Sequence, residues 1–74
     1  MSTALGDAML INQVGEAAGN IWHTLDEEGP LSITALKKQI EAPDAVFYMA
    51  LGWLAREDKL NIEPEGRSYR VQLK

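Results

Sequence analysis

Near residue 57 the apolar residues of this chain change their period, and few folds accommodate that change. From Pro43 onward Val46, Ala50, Trp53 and Leu54 recur at steps of three and four, with Phe47 and Leu51 beside them, the spacing of one face of a helix. After Glu57-Asp58-Lys59 the pattern becomes strict alternation. Leu60 and Ile62 alternate with Asn61 and Glu63, then Tyr69, Val71 and Leu73 with Ser68, Arg70 and Gln72. Pro64-Glu65-Gly66-Arg67 lies between the two alternating runs, and Gly66 can take the positive φ that a tight turn needs. A helix that opens directly onto an antiparallel hairpin is therefore fixed before the rest of the chain is considered.

The upstream segments supply two more helices. Ile11, Val14, Ala18, Ile21, Trp22 and Leu25 fall on one helical face, capped at its start by Asp7 or Asn12 and stopped by Glu28-Gly29-Pro30. Residues 1–10 are expected to be a flexible lead-in, with the folded domain over 11–74. Gly15 and Gly19 interrupt this helix four residues apart, each at a cost of about 1 kcal/mol relative to Ala. They are expected to admit a neighbouring helix of the same domain, or, as a second reading, a second copy of the chain in a homodimer through helix one. Pro30-Leu31-Ser32 is extended, and Leu31 is placed to add a short third strand to the hairpin. Ser32 caps a two-turn helix bearing Ile33, Leu36 and Ile40, which ends before Pro43 because the residue preceding proline is driven out of α geometry. Pro43 then starts the third helix, with Asp44 at its positive end. The order is α-(β)-α-α-β-β, an α+β chain on the winged helix-turn-helix plan, with three helices and a C-terminal β-hairpin wing.

Size and composition narrow the function. At 74 residues the chain forms one domain that buries only about 60% of its unfolded surface, so its large apolar residues, Trp22 and Trp53 included, are assigned to the core. There is no Cys and only one His, His23, which removes disulfides, thiolate chemistry and clustered Cys/His metal sites. His23 lies near Asp26 and Glu27 on its helix, but has neither a nucleophile nor a second ligand beside it. No phosphate-cradling glycine loop is present. Neither an enzyme nor a cofactor is expected, and no small-molecule substrate. The apolar runs are too short to cross a bilayer and the N-terminus lacks the form of a secretion signal, so a cytoplasmic location is expected.

The run Ala50-Leu51-Gly52-Trp53-Leu54-Ala55-Arg56-Glu57-Asp58-Lys59-Leu60, with Gly15, Ala18-Gly19 and Trp22 in the first helix, closely resembles a family of small stand-alone bacterial winged-helix proteins of unknown function. The resemblance covers roughly Val14 to Leu73 and implies the fold without implying a chemistry. It departs at Asp58, where the family pattern has glycine. Aspartate tolerates left-handed geometry better than most residues, which preserves the helix end. A wider similarity to winged-helix transcription regulators implies regulation by binding.

Two binding surfaces follow. A DNA-reading helix presents Arg, Lys, Asn or Gln to the bases, with basic side chains on the phosphates. Here the outward face of the third helix offers Asp44, Ala45, Tyr48, Gly52, Ala55 and, at its far end, Arg56, with Met49 at its margin. Its first two turns hold no exposed base or amide, and Ala45, Tyr48, Met49, Gly52 and Ala55 make a weakly polar surface suited to another protein. The nucleic-acid candidates are Lys37 and Lys38 on the second helix, Tyr48, and Arg67 and Arg70 on the wing. Net charge is −4, divided as −5 over residues 1–36, which hold no Lys or Arg, and +1 over 37–74. Such a chain repels phosphate at long range. The sequence therefore favours an unidentified protein partner, with direct DNA binding as the alternative.

Overall fold

The computed structural model describes residues 2–74, with side chains from Met9 onward. In chain order it comprises α1 (Ser2–Glu28), β1 (Leu31–Ser32), α2 (Ile33–Gln39), α3 (Asp44–Arg56), β2 (Leu60–Glu65) and β3 (Ser68–Leu73). Every element follows the order read from the sequence, including the short strand at Leu31.

Helix α1 begins earlier than either expected cap, so Asp7 and Asn12 are interior positions. Ala4, Leu5, Ala8, Met9 and Leu10 are strong helix formers with no proline among them, and extending an existing helix is far easier than nucleating one. The expected flexible lead-in concerns residues most of whose side chains lie outside those described. At its other end α1 closes on Gly29, whose φ of 80° and N–H donated to the Leu25 carbonyl form a left-handed cap.

Ser32 caps α2, its hydroxyl accepting the Ala35 N–H at 3.1 Å. Pro43 flanks α3, and its carbonyl accepts the Phe47 N–H at 2.9 Å, the first bond of the helix. At the end of α3 the Lys59 N–H reaches the Leu54 carbonyl and the Asp58 N–H reaches that of Ala55. This pair of bonds is a Schellman motif, with Asp58 at its left-handed position at φ 62°.

The sheet is antiparallel in the order β1-β3-β2. β2 and β3 stay paired to the end, Pro64 opposite Tyr69 and Glu65 opposite Ser68, so the loop is only Gly66 and Arg67. Gly66 has a φ of 63° and Arg67 does not share the positive sign, the arrangement of a type II′ turn. Pro64 fits inside a strand because β2 is an edge, where a missing N–H faces outward. Leu31 pairs with Val71 on the other side of β3.

The core is a single cluster. Ala17, Ala18, Ile21 and Leu25 from α1 meet Leu36, Ile40, Val46, Phe47, Ala50, Leu51 and Leu54, closed below by Leu60 and Val71. Three expectations about this core are corrected. Trp53 is 49% exposed and Trp22 36% exposed, so neither belongs to it. A Cβ built on Gly15 or Gly19 meets nothing within 4 Å, so no helix of this domain packs there. The molecule is also longer than its core requires: it measures 44 × 22 × 19 Å. Its radius of gyration, 12.8 Å, exceeds the about 11 Å usual for this length, because α1, with 27 residues, is by itself about 40 Å long.

Candidate partner-binding surface on the third helix

The two-turn helix α2 and the four residues after it deliver α3 to the surface with one face sunk in the core. Val46, Phe47, Ala50, Leu51 and Leu54 are buried. That leaves Asp44, Ala45, Tyr48, Met49, Gly52 and Ala55 exposed, so the structure brings all six partner-binding candidates together on one helix. Tyr48 is the largest of them and 49% exposed. Its ring is held edge-on against the buried Phe47, centroids 5.1 Å apart at 76°. The phenol is thus a rigid projection with a polar tip, the kind of side chain that anchors interfaces at small entropic cost.

The electrostatics at the helix start decide which basic groups remain available. Lys37 on α2 reaches the Asp44 carboxylate at 3.0 Å. That hydrogen bond is the main reason the Lys37 ammonium is held above its ordinary value of 10.5; desolvation opposes it, and the charges of Asp44 and Tyr48 add to it. Lys37, Lys38 and Asp44 line one open depression with Thr34 and Ala42, so a carboxylate sits among the cations. On the wing, Arg70 pairs with Glu65 at 3.1 Å. Lys74 pairs with Asp58. Among the described residues the bases without such a partner are Lys38, Arg56, Lys59 and Arg67, which lie on α2, the end of α3, the following turn and the wing tip. The five nucleic-acid candidates are therefore on the surface, but two of the four cations among them are neutralised within the chain.

His23 lines an open depression with Asn20, Thr24, Gln39, Ile40 and Glu41. Its ring stacks edge-on with Trp22, centroids 5.5 Å apart. Among the described residues no group of three or more His, Cys, Asp or Glu side chains is placed to hold a metal ion. No helix among them is long and apolar enough to cross a membrane.

Sequence reasoning missed one part of the surface. Met49 and Trp53, one turn apart on α3, line an open depression of about 300 Å³ with Leu10, Ile11 and Val14 of α1. The available signal was the width of the apolar arc on α3, which is broader than a single packed face needs.

A match to a winged helix-turn-helix domain family, DUF2582, runs over residues 9–73. The chain belongs to this family. An uncharacterized protein of Methanocaldococcus jannaschii is 35% identical over 65 residues, a match that covers 84% of this chain and 91% of the relative. In DUF2582 terms Asp58 occupies the position where the resemblance calls for glycine, and its positive φ shows why glycine suits that position.

Proposed function

We propose that this winged helix-turn-helix domain is a non-catalytic binding module that acts through protein contacts on the exposed face of α3, in a regulatory role related to transcription. The observation that carries this reading is the chemistry of that face. No Arg, Lys, Asn or Gln lies among Asp44, Ala45, Tyr48, Met49, Gly52 and Ala55, Arg56 stands only at the far end of the helix, and the base nearest the helix start, Lys37, is engaged by Asp44. Base readout requires donors and acceptors matched to groove edges, and this face has a carboxylate where phosphates would approach. A protein surface with a hydrogen-bond acceptor for the Tyr48 hydroxyl and small apolar groups for Ala45, Gly52 and Ala55 matches it better. A role without catalysis and a cytoplasmic location both fit a regulatory binding module.

The test is an amide NMR titration of the labelled protein with random duplex DNA at low salt. No shift on α3, Lys37, Lys38 or the Arg67–Arg70 wing is the expected result. Shifts confined to those residues that vanish as salt rises would replace this reading with direct DNA binding.

A further inference from the structure

From the free edge of the sheet we infer that the chain self-associates through β2, as a two-fold dimer in which β2 of one copy runs antiparallel to β2 of the other, centred on Ile62. In the order β1-β3-β2 this strand is an outer one, and among the described residues it pairs with β3 alone. The hairpin decides which of its backbone groups face outward. The pair flanking a two-residue turn is a hydrogen-bonded one, so Glu65, Glu63 and Asn61 point their N–H and C=O groups at β3. The bond of 3.1 Å from the Lys74 N–H to the Lys59 carbonyl keeps the same parity. Leu60 and Ile62 therefore turn both backbone groups outward, and Pro64 its carbonyl. Such a row is a template for another strand.

Pro64 and the charges select how that row is covered. Proline blunts an edge by withholding one donor. About a two-fold axis at Ile62 the loss is small: Ile62 exchanges both bonds with its own copy, and the Leu60 N–H donates to the partner's Pro64 carbonyl. In that register Lys59 lies opposite the partner's Glu65, and Asn61 opposite the partner's Glu63. Glu65 holds Arg70 at 3.1 Å on its β3 side, which leaves the outer side for Lys59. Sliding by two residues in one direction sets Glu63 against Glu63 and Lys59 against Arg67. The opposite slide carries Glu65 onto the acidic Glu57-Asp58 turn. On the core-side face Ile62, 36% exposed, meets its own copy, with Leu60 beside the partner's Pro64. Charge also favours a second copy over another chain. Residues 57–74 hold four acidic and four basic side chains, so this end is neutral, while residues 1–56 carry the whole −4. A strongly charged partner gains nothing from a neutral edge, whereas opposite charges at this spacing match their own reversed image. None of these residues belongs to the α3 face, so the inference does not depend on what that face binds.

Sedimentation equilibrium and amide hydrogen exchange of the full chain test it together. A single strand pair lies at the small end of specific interfaces, so the mass should approach twice the 8.2 kDa of the chain at about 1 mM and return to the monomer's at about 10 μM. The Ile62 amide faces solvent in the monomer and should exchange about tenfold more slowly at the higher concentration, with smaller changes at Asn61 and Glu63, which β3 already holds. Lys59→Glu sets like charges opposite each other twice and should weaken the dimer by about tenfold. Adding Glu65→Lys to it should restore most of that loss. Both positions are exposed, so the variants keep the fold. A wild-type monomer at about 1 mM overturns the inference and leaves the edge to a different chain. So does a dimer whose Ile62 amide exchanges freely, one that Lys59→Glu leaves intact, one that Glu65→Lys fails to rescue, or one lost in Gly19→Leu.

Discussion

Phe47 and Trp53 show how differently two aromatic residues on one helix contribute. Phe47 is completely buried, while about half of Trp53 faces solvent. Removing the Phe47 ring leaves a cavity lined by side chains that cannot collapse onto it, so Phe47→Ala is expected to cost about 3–5 kcal/mol. That approaches the whole stability of a domain this small. Trp53→Ala opens no closed cavity and forfeits only the buried half of the ring, roughly 1–2 kcal/mol. Urea unfolding of the three proteins at one chain concentration should order the variants that way. Equal losses would mean that Trp53 is a core residue after all. The helical period placed both residues in one apolar row because periodicity records which side of a helix is apolar, not where the core ends. In a chain with so little interior, the edge of such a row stays in water.

At the scale of the element, local chemistry was the most legible part of the sequence. Ser32, Gly29 and Gly66 each act where residue type alone placed them, and Pro43 stands one position out, as the cap of α3 rather than its first residue, because caps and turns are decided within four or five residues. The start of α1 was not legible, since its first residues carry no cap signal strong enough to outweigh propagation from the helix behind them. The hairpin loop is shorter than the four residues read from composition, because Pro64 is compatible with an edge strand and edge position is a tertiary property. Asp58 yields a prediction at this scale. It terminates α3 in the left-handed region, where a Cβ costs about 1 kcal/mol and where glycine carries no such penalty. The Lys74 contact on its carboxylate is exposed and contributes little. Asp58→Gly should therefore stabilise the domain by about 0.5–1 kcal/mol in thermal unfolding, and Asp58→Val should destabilise it. A lower midpoint for Asp58→Gly would assign the ion pair a larger share than the backbone.

For the molecule as a whole, the distribution of charge counts for more than its sum. The acidic half is α1, and the basic half answers its own carboxylates through Lys37–Asp44, Arg70–Glu65 and Lys74–Asp58. The composition showed the imbalance but not these pairings, because Lys37 and Asp44 meet only after the α2–α3 turn folds back. The candidate surface was legible as a face of α3, whereas its electrostatic state depended on contacts between elements. Asp44→Asn isolates that state. It lowers the net negative charge by one and releases Lys37, whose ammonium should then titrate nearer its ordinary 10.5. Even so, the four candidate cations Lys37, Lys38, Arg67 and Arg70 would give a log–log salt slope no steeper than about −3.6, against the 6–10 phosphate contacts of strongly salt-dependent binders. Fluorescence anisotropy with a labelled random duplex should therefore show weak association of Asp44→Asn at low salt and none at about 150 mM, and none by the wild type at either salt. Wild-type binding that persists at the higher salt would mean that cations beyond these four engage the backbone, and the protein-contact reading of α3 would fail with it.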